Sequence, residues 1–314
     1  MLHDLVMFIR KYNVLVLLIG LIIILSIFSN VFSTPHNIKN LLLQVTSDGI
    51  VAIGMTFVII TGGIDLSVGK VVALSSVITI GLQTYTGSLV SSLIALVVGL
   101  IIGMLNGLLI AKVKINPFIT TLGIRIFVEG LTLGITKTRP ISGTDPVFAN
   151  FSTASTFGIP NASLIFIALI LICHYYLAYT SHGRLFYAVG GNKEASWLAG
   201  IKVDKYLIGA YALASLMAAL AGVLLASRIN TGSPIIGKDT DLIAIISVIL
   251  GGTSMAGGSG TVLGTFFGVL TLGMLNNGMN LLGIYDFYQT IILGVLLVLV
   301  MLFDHFYVAR RKKQ

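Results

Sequence analysis

Long apolar runs, each broken by a few polar or glycine residues, repeat from one end of the chain to the other. A helix that crosses the hydrocarbon core of a bilayer needs about 20 apolar residues. On that scale the runs predict ten membrane helices, over 13–33, 42–61, 68–85, 89–111, 117–136, 161–180, 206–227, 240–257, 260–281 and 285–303. The third and eighth are short and bordered by glycine-rich turns. Two polar stretches stand out between the runs. Residues 137–160 are rich in Ser, Thr, Pro and Gly and lack apolar periodicity, which predicts an irregular loop with at most one short interfacial helix. Residues 181–205, SHGRLFYAVGGNKEASWLAGIKVDK, form the longest polar island on the opposite side. No second domain is discernible, so 1–314 is expected to be a single transmembrane domain.

Composition turns this pattern into a class. The chain is 56% hydrophobic and only 10% charged, where soluble domains carry about 25% charged residues. An all-α polytopic membrane protein is the expected fold. The net charge of +8 resides in short loops, which makes it a topology signal and not a nucleic-acid footprint. With the N-terminus inside, Arg10, Lys11, Lys70, Lys112, Lys114, Arg184, Lys193, Lys202, Lys205, Arg310, Arg311, Lys312 and Lys313 face the cytoplasm. Lys39, Lys137, Arg139, Arg228 and Lys238 face outside, and Arg125 lies within the fifth span. Both termini are therefore expected inside, as an even number of spans requires. The stretch 181–205 becomes cytoplasmic and 137–160 periplasmic. Arg10 and Lys11 precede the apolar run 14–28 with no A-x-A-like site after it, so an uncleaved first helix is expected. The lone Cys173 sits in an apolar run and reads as packing.

Charge within the spans is scarce and so informative. Thr61–Gly69, TGGIDLSVG, places Asp65 between two apolar runs. Gly62-Gly63 would end the preceding helix, and Asp65 and Ser67 would either cap the next one or line a gate. Arg125 and Glu129, at i and i+4, can neutralise each other on one helix face. Gly99-x3-Gly103-x3-Gly107 and Gly260-x3-Gly264-x3-Gly268 are paired ridges suited to close helix contact. Amides and hydroxyls within spans, Asn106, Thr120, Asn276, Asn277, Asn280 and Gln289, suit either a path for a neutral hydroxylated solute or helix–helix bonding. His3, His36, His174, His182 and His305 lack ligand spacing, so no metal site is expected. Gly232–Asp239, GSPIIGKD, mimics a phosphate loop but has Asp where Ser or Thr should hold magnesium, and no strand precedes it.

Several segments carry a resemblance. GMTFVIITGGIDLSVGKVVAL at 54–74, NPFITTLG at 116–123, GRLFYAVGGN at 183–192, LIAIISVILGGTSMAGGSG at 242–260 and LNNGMNLLG at 275–283 resemble the ribose-type sugar permeases of bacterial ATP-binding-cassette importers. Glu129 departs from the arginine expected there. The resemblance implies an inner-membrane subunit that pairs with a second permease copy. It also implies a cytoplasmic ATPase that uses the ATP and a periplasmic sugar-binding protein. The permease itself needs no cofactor. Glu194-Ala195-Ser196-x3-Gly200 is similar to the EAA-x3-G loop that contacts the ATPase, with Asn192 as N-cap, 193–199 as a short helix and Gly200 as its C′ residue. Trp197 would be a docking anchor or a marker of the membrane interface. The rival readings are an ion-driven secondary transporter, which needs ionisable groups near the midplane, and a membrane enzyme, for which no convergent nucleophile or metal set can be assembled.

Overall fold

The computed structural model describes residues 13–311. Arg10, Lys11, Lys312, Lys313 and His3 lie outside the described residues, as do the side chains of His305, Arg310 and Arg311. The helices in chain order are α1 (Asn13–Phe28), α2 (Pro35–Ile60), α3 (Val68–Gly81), α4 (Gln83–Thr86), α5 (Ser88–Ala111), α6 (Pro117–Thr136), α7 (Pro146–Phe151), α8 (Asn161–Tyr179), α9 (Ser181–Gly191), α10 (Lys193–Leu198), α11 (Val203–Ile229), α12 (Thr240–Leu250), α13 (Val262–Leu281) and α14 (Asp286–Arg311). Four two-residue strands join them: β1 (Ile141–Ser142), β2 (Ser155–Thr156), β3 (Ile159–Pro160) and β4 (Thr231–Gly232), paired antiparallel as β1–β4 and β2–β3.

Seven of the described helices, α2, α5, α6, α8, α11, α13 and α14, are long and apolar enough to cross a membrane; α1, α3 and α12 are apolar but shorter. All ten overlap the runs read from the sequence, but α1 ends at Phe28 and not at 33, α2 begins at Pro35 and not at 42, and two other runs are cut short. The run 240–257 stays helical only to Leu250, because Gly251 lies against the Gly264 backbone and Gly252 takes φ +88°. The third run breaks after Gly81 into α3 and the single turn α4. At 14 and 11 residues, α3 and α12 are about 21 and 16 Å long, short of the roughly 30 Å hydrocarbon thickness.

Chemistry at the helix ends explains where they start and stop. Thr34 accepts from the Asn37 N–H at 3.3 Å with Pro35 next in sequence, which opens α2. Asn116 with Pro117 opens α6 in the same way, accepting from the Phe118 N–H at 2.9 Å. Gly62, at φ +74°, ends α2 where any side chain would be strained.

The packing is built on α2, whose C-terminal half is almost wholly buried, and on α11, which contacts α2, α3 and α5. The glycine ridge on α5 does what its spacing predicts. A Cβ on Gly99 would lie 2.4 Å from Ala219 Cβ, one on Gly103 2.4 Å from the Tyr211 carbonyl, and one on Gly107 2.6 Å from Ile208 Cα. The second ridge is shorter than predicted. Gly264 and Gly268 meet Gly251 and Ser247 of α12, but Gly260 precedes α13, at φ +146° in the turn over Thr253. Thr261 caps α13 instead.

The two ends of the bundle differ. At one end β1 and β4 tie 137–160 to the α11–α12 connection, and Gln83 Oε1 accepts from the Thr144 N–H at 2.7 Å. Asp145 caps α7 and also accepts from the Ser88 hydroxyl, a contact that holds its carboxyl below the usual carboxylate range. At the other end, the Gly258 N–H donates to the Ile60 carbonyl at 2.8 Å, and Lys112 pairs with Asp204 at 2.8 Å. The phosphate-loop mimic begins in β4, beside 137–160.

Replacing Gly103 by Leu should force α5 and α11 apart and cost about 1–3 kcal/mol or more. Gly130→Ala on α6, with nothing within 4 Å of the added methyl, should be neutral. Thermal unfolding of the detergent-solubilised variants compares the two, and equal midpoints would show that the ridge carries no packing energy.

Candidate functional site

The polar island is more ordered than a loop. Its first half is the helix α9, capped by Thr180, which accepts from the Gly183 N–H at 3.0 Å. Asn192 closes α9 and opens α10, accepting from the Ala195 N–H at 2.9 Å. Glu194 sits in the first turn, where the positive helix end favours a carboxylate. Gly200, at φ +82°, ends the turn, with Ile201 N–H returning to the Ser196 carbonyl at 3.0 Å. Ser196 faces inward, while Trp197 and Leu198 are 69% and 73% exposed. Beside them a groove of about 780 Å³ runs between α10, α11 and Lys112, with Met104 and Ile208 in its lining.

The C-terminal half of α9 is bound into the bundle largely through close main-chain contacts. A Cβ on Gly190 would lie 1.7 Å from the Ile60 carbonyl oxygen at the end of α2. A Cβ on Gly257 would come within 2.7 Å of the Gly190 carbonyl, and one on Gly258 within 2.8 Å of Gly191 Cα. The Tyr187 hydroxyl donates to the Gly260 carbonyl at 2.9 Å, and His182 Nδ1 lies 3.1 Å from the Tyr206 hydroxyl on α11. The exposed α10 is thus continuous with a backbone junction of α9, the end of α2 and the α12–α13 turn.

The polar candidates within the spans separate into three places. Asp65, Ser67 and Asn106 form one fully buried network: Asp65 Oδ1 accepts from the Ser67 N–H at 2.9 Å and its hydroxyl at 2.6 Å, and Asn106 Nδ2 donates to Ser67 Oγ at 2.9 Å. Ser67 stands at the N-cap of α3 without capping it: its backbone is already helical and its hydroxyl oxygen accepts from Asn106 instead. Gly63 lies against the Tyr211 hydroxyl, which donates to the Ile64 carbonyl at 3.4 Å. At the opposite end Asn277 and Asn37 exchange two amide bonds of 3.0 and 2.9 Å, while Gln289 donates to Asn280 at 2.7 Å and Asn276 is half-buried. Thr120 bonds the Asn116 carbonyl in the first turn of α6.

The expected Arg125–Glu129 pair does not form. Arg125 Nη1 donates to Asp241 Oδ2 on α12 at 2.6 Å, and Glu129 Oε1 accepts from Lys70 on α3 at 2.7 Å. Partners on neighbouring helices are more enclosed than a helix's own surface, so each charge pairs inward. Lys70 is therefore a buried residue of α3 and not a loop charge. Thr240 donates to Asp48 at 3.2 Å, and Arg228 donates to the Leu43 carbonyl at 3.0 Å. Lys70, Asp241, Asp48 and Arg228 were the residues that reading loop against span missed. The available signal was an ionisable residue inside or at the edge of an apolar run, which a bilayer requires to find a partner.

Residues 37–301 match the family described as the permease component of the branched-chain amino acid transport system. The chain belongs to that family of multi-pass membrane permeases, and its relatives are transporter components and not enzymes. It is 45% identical over 287 residues to the ribose import permease protein RbsC of Bacillus subtilis, covering 90% of this chain and 89% of that one. It is 39% identical over 298 residues to RbsC of Escherichia coli K12, covering 93% and 92%. The L-arabinose permease AraH of the same strain is 38% identical over 297 residues, covering 94% and 90%. No solved structure matches the chain. The resemblance to ribose-type sugar permeases thus extends over nearly its whole length.

Breaking a buried ion pair leaves an uncompensated charge, which typically costs about 3–5 kcal/mol. Asp241→Leu alone should therefore destabilise the fold strongly, while Arg125→Leu with Asp241→Leu should recover most of the loss. A double-mutant cycle on unfolding midpoints measures the difference, and additive losses would mean the contact is not an energetic pair.

Proposed function

We propose that this permease carries a monosaccharide, ribose, across the bacterial inner membrane through a path formed with a second copy of itself. A separate cytoplasmic ATPase drives the cycle and a periplasmic sugar-binding protein delivers the substrate. The observation that carries this reading is α10: a capped helix bearing an exposed Trp197 and Leu198, wired by main chain to the end of α2. Large apolar side chains on a polar surface helix favour burial in a partner. A short rigid helix also moves as a body when its partner closes. Three relatives that import or transport ribose, arabinose and allose support a sugar as cargo, and two ribose import permeases at 45% and 39% identity favour ribose.

Ten spans with both termini inside is the arrangement we adopt. The inside set of Lys and Arg still outnumbers the outside set after Lys70 is withdrawn from it, as termini on the inside require. The 181–205 segment then faces the cytoplasm and 137–160 the periplasm. Access alternates as nucleotide-driven motion of α10 and α9 reaches the Gly62 and Gly257–Gly258 turns beside the enclosed Asp65–Ser67–Asn106 network. An ion-driven cycle is the competing reading, and the buried charges are its only support. All four partners in the two interhelical pairs are neutralised within the protein, so a carboxylate left to such a cycle is Asp65, buried with Ser67 as its hydrogen-bond partner.

In proteoliposomes containing the ATPase and the binding protein, Trp197→Ala and Glu194→Arg should insert normally yet lose ATPase retention and ATP-driven ribose uptake. Normal uptake by Glu194→Arg would sink the coupling assignment. Uptake that survives ATP depletion but collapses with an uncoupler would put the ion-driven cycle in its place. Gly190→Ala, which pushes α9 off the Ile60 carbonyl, should keep the ATPase bound while uptake falls, and unchanged uptake would show that the junction transmits nothing.

A further inference from the structure

Both interhelical ion pairs have one enclosed partner and one open partner. Lys70 and Asp241 expose only 9% and 1% of their side chains, while Glu129 exposes 42% and Arg125 26%. Both open partners belong to α6 and stand one turn apart. Glu129 lies roughly 18 Å from the start of α6 and 10 Å from its end at 1.5 Å per residue, deep within the apolar thickness. Ionised groups at that depth sit against protein or water and not against lipid tails. The edge of α6 that carries Glu129 is therefore not a lipid face.

The hydrogen-bonding capacity left over is specific. Lys70 occupies Glu129 Oε1, and Oε2 accepts no hydrogen bond among the described residues. Arg125 spends one N–H on Asp241, of the five that a guanidinium carries. Side chains at i and i+4 stand about 6 Å apart on one face. The result is a spare acceptor next to spare donors, with both charges already neutralised from behind.

We propose that this edge of α6 is a wall of a water-filled sugar path, and that Arg125 and Glu129 form a waystation for the hydroxyls of a sugar in transit. Each sugar hydroxyl donates and accepts, so neighbouring hydroxyls match a carboxylate oxygen beside a guanidinium. The inward pairing to Lys70 and Asp241 holds both groups in place and keeps the wall electrically neutral, which suits passage of an uncharged solute. The inference rests on the reading of the chain as a sugar permease and adds which helix lines the route.

The test is thiol modification in the assembled transporter, with Cys173→Ser as parent. Ile126 and Leu133, at i−3 and i+4 from Glu129, share its edge, whereas Leu131 and Ile135 lie on the far edge of α6. The probe is a membrane-impermeant, positively charged methanethiosulfonate. A thiol reacts as its thiolate, which requires water, so Ile126→Cys and Leu133→Cys should be modified about tenfold faster than Leu131→Cys and Ile135→Cys. Ribose supplied during ATP-driven cycling should slow the reaction at Ile126→Cys, and a sugar that is not transported should not. Equal rates on both edges, or no protection by ribose, overturn the proposal. Ribose uptake by the parent in the same vesicles is read separately. Uptake with an unreactive α6 edge removes the waystation and leaves the permease standing, and absence of uptake removes the permease reading itself.

Discussion

Backbone pressed against backbone is the contact on which the rest of this molecule depends. Lipid tails are as apolar as leucine, so the hydrophobic effect cannot hold membrane helices together, and close approach must do so through dispersion. Gly99, Gly103 and Gly107 let α5 lie on α11, and Gly264 and Gly268 let α13 lie on the end of α12. Gly54 on α2 meets the Ala214 backbone and Gly222 on α11 meets the Val72 carbonyl, so the central helices use the same device. Once the axes are this close, the side chains between them have one arrangement open to them. The fully buried Tyr211 with its hydroxyl at Gly63, and the Thr56–Thr265 bond of 2.8 Å, follow from that spacing.

The polar groups obey the same constraint from the opposite direction. A charge inside the bundle is costly unless a partner is in reach, and the two charges of α6 are each answered from a neighbouring helix. Arg125 reaches Asp241 and Glu129 reaches Lys70, which links α6 to α12 and to α3. The amides at the far end behave alike, Asn277 with Asn37 and Asn280 with Gln289. These bonds join the first described spans to the last and give the bundle a register that apolar packing alone does not specify.

Much of this was legible in the sequence because its causes are local. Apolar runs marked the seven span-length helices and the three shorter apolar ones, the Gly62-Gly63 stop ended α2 as expected, and the Asn192-to-Gly200 spacing marked α10 with its cap and its C′ glycine. What was hidden is non-local. The choice of Asp241 over Glu129 as the partner of Arg125 depends on which helices lie side by side, and helix spacing within one segment favours the wrong answer. Lys70 looked like a loop residue because it stands at the border of a run, where hydropathy cannot distinguish an interface from a buried first turn. The helical half of the polar island, α9, was missed because its apolar side is interrupted by Gly183, Gly190 and Gly191, which read as turn formers. Two of them are there to let other backbones in.

The junction of Gly190, Gly191, Gly257 and Gly258 has a consequence for how such a protein can change. A joint made of main chain has no side chain to adjust, so it is nearly intolerant of substitution where it touches and indifferent to substitutions elsewhere. The groups along α6 and at the ends of α13 and α14, by contrast, are all side chains. On the reading proposed above, cargo preference and mechanical drive would be written in separate alphabets. The one could then be revised by exchanging residues along the proposed route while the main-chain joint is left as it was.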